Sequence, residues 1–172
     1  MKNDYESVLC YTIFGDNMEI KVFVLGDLKS NCYLLYHEKR AVIIDPGYQS
    51  DDLISFIDDK ALMIEAILIT HGHYDHIGFS NELKKRYQVP VYAPKKDAMW
   101  FELGPYNKLG YPVLVDNWLE DLDEHLLIGQ VFKFMSTPGH SPGGMVITTN
   151  NIAFTGDTLF FQSIGRTDLP LS

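Results

Sequence analysis

The segment Thr-His-Gly-His-Tyr-Asp-His at residues 70–76 constrains the fold of this chain more than any other feature. It directly follows the apolar run Ala-Ile-Leu-Ile, which predicts a buried strand that stops at the edge of a sheet. In an extended turn, residues two apart point the same way, so His71 and His73 can face one ion together. Asp75 and His76 are then left to face a second position.

This cluster is interpreted as a metal site. Three of the six histidines in the chain fall within it, which a run of surface polar residues in a loop would not explain well. Neutral imidazoles and a carboxylate suit zinc, iron or manganese. The cluster therefore limits the candidate metals to these three and does not choose among them.

Two later segments repeat the same pattern of an apolar strand, a turn and one candidate ligand. His140 lies in a Gly/Pro-rich turn after the apolar run at 131–134, and Asp157 follows the short run at 152–154. Taken alone, His140 is more typical of an ordinary loop histidine and Asp157 of a turn former. As further members of one set they are interpreted as ligands gathered at strand ends, on a layered α/β scaffold.

These motifs resemble those of a known family. The segment from His71 to His76 matches the H-x-H-x-D-H signature of the metallo-β-lactamase superfamily, and Thr-Pro-Gly-His140 and Gly-Asp157 are similar to its next two metal motifs. Asp45, in Ile-Ile-Asp-Pro-Gly, matches a further family position. The Thr-Pro-Gly-His-Ser-Pro-Gly turn and the run Phe-Phe-Gln-Ser-Ile-Gly-Arg-Thr-Asp-Leu-Pro look like those of small bacterial glyoxalase II-like (hydroxyacylglutathione hydrolase-like) enzymes.

The resemblance implies an αββα sandwich, with residues 1–172 forming one metallo-β-lactamase-like domain. Family members continue past the Gly-Arg-Thr-Asp-Leu-Pro segment, through a helix and a strand, to a final histidine that completes the second metal site. No histidine follows His140 in this sequence. We therefore expect a chain that is incomplete at its carboxyl end, rather than one that borrows the missing ligand from a neighbouring chain.

The resemblance also implies a role for each candidate residue. His71, His73 and His140 would bind the first metal, Asp75 and His76 would contribute to the second, and Asp157 would bridge the two. Two zinc ions are expected in the full-length protein, with iron or manganese as alternatives. A metal-bound hydroxide would attack a carbonyl carbon, with Asp75 orienting it. Asp45 is predicted either to fix the ring of a histidine ligand or to be a plain turn residue.

The function implied is hydrolysis of a small-molecule substrate, a thioester first of all. Arg166 is a candidate anchor for a substrate carboxylate, because guanidinium gives bidentate recognition. The alternative role of Arg166 is to form an ion pair with Asp168. Two other functions stay open at this point: a mononuclear iron enzyme resembling persulfide dioxygenases, and a catalytically inactive metal-binding domain.

Composition excludes other classes of function. The formal charge of −9 argues against nucleic-acid binding, which needs a basic surface. No segment approaches the ~20 apolar residues of a membrane span, and the first residues do not resemble a signal peptide. We therefore expect a cytoplasmic protein with no membrane partner, in which Cys10 and Cys32 are buried thiols. The oligomeric state is left open.

Periodicity predicts mixed α and β structure. Strands are predicted at 9–14, 20–25, 32–36, 41–44, 64–69, 89–92, 131–134, 144–148 and 152–154. Helices are predicted at 50–59, 79–87 and 95–103. Residues 104–124 have no clear period and are predicted to be a loop that overhangs the site.

Overall fold

The structure, a computed structural model, describes residues 18–169, 171 and 172. Six strands form the first sheet in the order β1-β2-β3-β4-β5-β6. They are β1 (Met18–Leu25), β2 (Ser30–His37), β3 (Arg40–Ile44), β4 (Met63–Leu68), β5 (Val91–Pro94) and β6 (Asn117–Leu119). β1, β2 and β3 pair antiparallel, and β3 to β6 pair parallel. Because parallel strands end at one edge, the turns after β3 and β4 meet there.

The second sheet has four antiparallel strands in the order β10-β9-β8-β7. They are β7 (Glu124–Leu127), β8 (Gln130–Ser136), β9 (Met145–Thr149) and β10 (Ile152–Phe154). A small hairpin follows, made of β11 (Leu159–Phe160) and β12 (Ser163–Ile164). The helices are α1 (Asp51–Asp59), α2 (Tyr74–Ile77), α3 (Ser80–Tyr87) and α4 (Ala98–Phe101), and the 3-10 turn Lys95–Asp97 precedes α4.

Two clusters of buried side chains define the layers. Along β3, Ile43 packs in the cluster that contains Leu53 of α1 and Leu83 of α3, whereas Val42 packs in the cluster that contains Phe132 of β8. This alternation is what a strand buried on both faces requires. The described residues therefore form three layers of an αββα sandwich, helices on the first sheet and the first sheet on the second.

The predicted elements mostly match the structure. The strand predicted at 9–14 lies outside the described residues. The helix predicted at 95–103 is shorter than expected, because a 3-10 turn replaces its first residues and α4 ends at Phe101. The prediction of a continuous loop over 104–124 is wrong for 117–119, which pair with β5 as strand β6, and for Glu124, which begins β7. A strand of three residues is too short to show a period.

Two smaller expectations concern burial and membranes. Cys32 is fully buried, and burial raises the pKa of its thiol well above the usual value. Cys10 lies outside the described residues. Among the residues that the structure describes, no helix has the length and apolar character needed to cross a membrane.

Candidate metal centre

The candidate ligands lie in turns that follow strands of both sheets. His71 and His73 come after β4 of the first sheet, whereas His140 and Asp157 come after β8 and β10 of the second. A backbone hydrogen bond joins the sheets beside the site, where the amide of Met145 donates to the carbonyl of Thr70 at 2.9 Å. The site therefore sits where the ends of the two sheets meet.

Three imidazoles form the first group of candidate ligands, the three-histidine group (His71, His73 and His140). One ring nitrogen of each lies within 4.8 Å of those of the other two. Nδ1 of His73 is 2.9 Å from Nε2 of His140. Two ring nitrogens this close must share a proton or a cation, and three such nitrogens match the donor set of a zinc or iron site.

A second group, the mixed group (His71, His76 and Asp157), lies beside the first and shares His71 with it. Nε2 of His76 is 3.3 Å from Oδ1 of Asp157. The other carboxylate oxygen of Asp157 is 3.3 Å from Nε2 of His140. Asp157 therefore faces both groups, one oxygen to each.

Asp75 lies at the edge of the mixed group. Asp75 and His76 are buried on the short helix α2, which begins directly after His73. Oδ2 of Asp75 is 3.6 Å from Nε2 of His76 and accepts a 2.6 Å hydrogen bond from the hydroxyl of Ser30. The carboxylate is thus held from the opposite side by β2.

Asp45 lies beneath the histidines and fixes which nitrogen of two rings faces the site. Its Oδ2 is 3.0 Å from Nδ1 of His76, and a carboxylate only accepts, so that nitrogen carries the proton. The hydroxyl of Thr70 donates to the same oxygen at 2.6 Å. The Thr70 oxygen is then left to accept from Nδ1 of His71, 3.1 Å away. Both rings therefore turn Nε2 toward the site.

Those two Nε2 atoms test whether the residues fit a metal ion. Within the described residues, Nε2 of His71 and Nε2 of His76 are buried without a well-formed hydrogen bond, although Nε2 of His76 lies 3.3 Å from the carboxylate of Asp157. A buried polar atom without a partner costs about 1–3 kcal/mol, so two of them in one place need an explanation. Imidazole lone pairs beside a carboxylate are the donors that zinc and iron bind, and the residues fit a divalent cation.

The electrostatics of the histidines also fit a cation. Burial and the neighbouring imidazoles lower the pKa of His71 well below its usual value and that of His73 to about 4, so both rings are neutral near pH 7. Neutral imidazole is the form that binds metals. For His76, burial opposes protonation, but the charges of Asp45 and Asp157 outweigh it and raise the pKa to about 10. Those two carboxylates therefore attract positive charge to this position, and a cation bound at Nε2 of His76 would replace the second ring proton.

A cleft of about 540 Å³ opens above the ligands. His73, Asp75, His140 and Asp157 line it, and the aromatic side chains of Tyr74, Trp100 and Tyr106 stand beside them. Of the other aromatics considered from the sequence, Phe101 is buried in the core and Tyr111 donates a hydrogen bond to the carbonyl of Gly78. Pro105, Tyr106 and Lys108 of the 104–116 stretch also line the cleft, so this part of the predicted loop does border the site.

Arg166 contacts the site in two ways. Its backbone carbonyl lies 3.0 Å from Nδ1 of His140, so it accepts that proton and leaves Nε2 of His140 facing the other ligands. Its guanidinium donates two hydrogen bonds to Asp168, at 2.8 and 3.0 Å. The side chain is exposed and also lines the cleft.

Three residues that support the site had no signal in the sequence. Ser30 and Thr70 hold carboxylates through their hydroxyls, as described above. Asp97 is fully buried and accepts hydrogen bonds from the loops that carry His71, His73 and His140. A carboxylate inside a predicted helix gives no hint that it faces two distant loops.

The family model of the metallo-beta-lactamase superfamily matches residues 25–172. Hydroxyacylglutathione hydrolase GloC of Haemophilus influenzae is 38% identical over 89% of this chain and 77% of its own length.

Solved structures agree with the family match. The crystal structure of BLEG-1 B3 metallo-beta-lactamase has a TM-score of 0.78 and 36% identity, covering 88% of this chain and 78% of that one. The crystal structure of TTHA1623 in a di-iron-bound form has a TM-score of 0.70 and 33% identity, with the same coverage. The chain therefore belongs to the metallo-beta-lactamase superfamily, as its motifs predicted.

Proposed function

We propose that this metallo-hydrolase of the metallo-beta-lactamase superfamily cleaves a thioester. The observation that carries the proposal is the pair of ligand groups, joined by His71 and Asp157, at the floor of an open aromatic cleft. Among the described residues, those that line this cleft include no serine, threonine or cysteine. In this proposal the acyl group is transferred to water.

The residues that would hold the metal are those of the two groups, together with Asp75. We propose zinc, with iron or manganese as alternatives that the same nitrogen and oxygen donors accept. When bound, a divalent metal supplies a Lewis acid for the carbonyl and brings the pKa of water toward ~7. The chain's own share of the chemistry is to orient the ligands, the water and the substrate.

Asp75 is assigned the orientation of the attacking water. Its Oδ2 is occupied by the hydroxyl of Ser30, 2.6 Å away, so Oδ1 is left to accept a proton from water in the cleft. Asp45 acts through the rings, because it fixes the tautomers of His76 and His71. Neither role needs a covalent intermediate on the protein.

The leaving group favours a thioester. Among the described residues, every histidine that lines the cleft belongs to the three-histidine group, and His73 is neutral near pH 7. A thiolate, with a thiol pKa of about 8.5, leaves without a proton from an acid, which suits a cleft whose histidines are all candidate ligands. The similarity to hydroxyacylglutathione hydrolase GloC supports the same substrate class.

We also propose Arg166 as the anchor of a substrate carboxylate. Its guanidinium is exposed at the cleft and paired with Asp168. An exposed ion pair contributes little in water, so a substrate carboxylate can replace Asp168 at the same fork. The single domain over residues 1–172 and the cytoplasmic location stay predictions from the sequence.

The test combines metal analysis with an activity assay. Protein purified without chelator is analysed for metal and then assayed on a hydroxyacylglutathione thioester and on the matching oxygen ester. We expect thioester turnover that His73→Ala abolishes while the circular dichroism spectrum is kept. The matched control is His37→Ala, which removes a histidine at the far end of β2 and leaves the rate unchanged.

Three outcomes would contradict the proposal. A His73→Ala variant with most of the wild-type rate would remove the metal assignment. Oxygen consumption on glutathione persulfide by an iron-loaded protein without thioester hydrolysis would favour the dioxygenase alternative. Metal binding with no turnover of either ester would favour an inactive metal-binding domain.

A further inference from the structure

Asp97 is a fully buried carboxylate outside the two ligand groups. It ends the 3-10 turn Lys95–Asp97, directly before α4, and has no solvent exposure. Burying a carboxylate is costly unless donors surround it. The residues that donate to Asp97 therefore show what its burial stabilises.

The three hydrogen bonds that described residues donate to the Asp97 carboxylate come from the two loops that carry the three-histidine group. Oδ2 accepts from the backbone amide of Gly72 and from the hydroxyl of Ser141, both at 2.8 Å, and Oδ1 accepts from the amide of Gly143 at 2.6 Å. Gly72 lies between His71 and His73, and Ser141 directly follows His140. One carboxylate thus joins a loop of the first sheet to a loop of the second.

The glycines at the two contacts are a second, independent observation. A Cβ on Gly72 would lie 2.8 Å from Cβ of Trp100 and 3.1 Å from Cβ of Asp97. A Cβ on Gly143 would lie 2.6 Å from Oδ1 of Asp97. A side chain at residue 143 would therefore clash with Asp97, and one at residue 72 would clash with Trp100 and crowd Asp97.

We propose that Asp97 is a positioning residue that sets the distance between the His71–His73 loop and the His140 loop. Asp97 does not line the cleft, so it acts on the metal only through the loops. With both loops held, the three imidazoles are already gathered before a cation arrives, and binding does not have to order them. This inference rests on the metal centre of the proposed function and goes beyond it, because it assigns part of the metal affinity to a residue that binds no metal.

The test measures metal affinity rather than activity. Asp97→Asn keeps the shape of the side chain, but it has one acceptor oxygen, and its amide group faces at least one of the three donors. Ser141→Ala removes one of the three hydrogen bonds and leaves both amide contacts. The matched control is Asp116→Asn, because Asp116 accepts from the amide of Val91 at 2.8 Å and pairs with Lys84 outside the cleft.

We expect Co²⁺ affinity, measured by competition with a chromophoric chelator, to fall about 10- to 100-fold in Asp97→Asn. The Co²⁺ affinity of Ser141→Ala is expected to lie between those of Asp97→Asn and the wild type. The affinity of Asp116→Asn is expected to equal that of the wild type. The visible absorption bands of bound Co²⁺ also change in Asp97→Asn, because the geometry of the three imidazoles changes. A residue with a merely structural role would lower the unfolding temperature and leave both the affinity and the bands unchanged.

Wild-type affinity and wild-type bands in Asp97→Asn would overturn the inference. If Asp97→Asn does not fold, the Co²⁺ affinity of Ser141→Ala provides the test. An unchanged affinity in Ser141→Ala would also overturn the inference. Weakened binding in both variants, together with no thioester turnover by the wild type, would support the role of Asp97 and contradict only the proposed substrate. A wild-type chain that binds no Co²⁺ would overturn the metal centre and this inference together.

Discussion

Asp45 has a backbone conformation that makes one substitution especially informative. Its φ of 53° lies in the left-handed region, which asparagine adopts more readily than most residues. Asp45→Asn therefore keeps the turn, but it replaces one of the carboxylate oxygens that serve Thr70 and His76 by an amide group.

We expect Asp45→Asn to lower zinc affinity by about 10- to 100-fold, because His76 loses its acceptor and Thr70, which accepts from His71, loses the acceptor of its own proton. Chelator competition measures the affinity, and circular dichroism checks the fold. The control is Asp58→Asn, which removes an exposed ion pair with Arg86 and leaves the affinity unchanged. Unaltered zinc binding in Asp45→Asn would assign Asp45 to the turn alone.

The sequence predicted the candidate ligands better than the residues that support them. Histidine spacing and the family motifs pointed to all six candidate ligands, and the structure brings those side chains together. Ser30 and Asp97 escaped prediction because their partners lie far along the chain. Ser30 is 45 residues from Asp75, and Asp97 is 46 residues from Gly143. Only the fold brings such pairs together.

At the scale of elements, length largely decided what could be predicted, although the three-residue strand β10 was predicted as well. The strands β2, β3, β4 and β8 contain continuous or alternating apolar residues, and the sequence indicated each of them. The short elements α2, β6, β11 and β12 have two to four residues and show no period. They form because neighbouring elements supply their partners, as β5 does for β6.

Helix α1 offers a test at this scale. The hydroxyl of Ser50 accepts a 3.1 Å hydrogen bond from the amide of Leu53, and thereby caps the helix. Ser50→Ala is expected to lower the free energy of unfolding by about 1 kcal/mol, because that amide loses its acceptor. Urea denaturation measures the change, with the exposed Ser163→Ala as the control. Equal stability of the two variants would show that the cap contributes nothing, and metal content should not change in either.

At the scale of the whole molecule, the site draws on both sheets. A bound cation is held by residues after β4 and also by residues after β8 and β10, so unfolding either sheet destroys the site. A cation that binds the folded chain and not the unfolded chain stabilises the folded state by mass action.

Metal removal should therefore lower the unfolding temperature. Zinc at a hundred times its dissociation constant raises the free energy of unfolding by about 2.7 kcal/mol. For a domain of this size, that corresponds to a rise of roughly 5–11 °C in the unfolding temperature. Scanning calorimetry with zinc and with chelator measures the difference. In the double variant His73→Ala/His140→Ala, most of this difference in unfolding temperature should disappear. An equal shift in that variant would assign the stabilisation to zinc bound elsewhere.

The cleft wall has a consequence for how new specificities can arise. Pro105, Tyr106 and Lys108 belong to one irregular stretch between α4 and β6, held by its own hydrogen bonds around Asn107. The floor is built elsewhere in the chain, from the ends of strands and from α2. This part of the surface that meets the substrate can therefore change as one segment, while the reacting centre, Tyr74, Trp100 and Arg166 stay as they are. Transplanting this stretch between relatives would separate the choice of substrate from the chemistry performed on it.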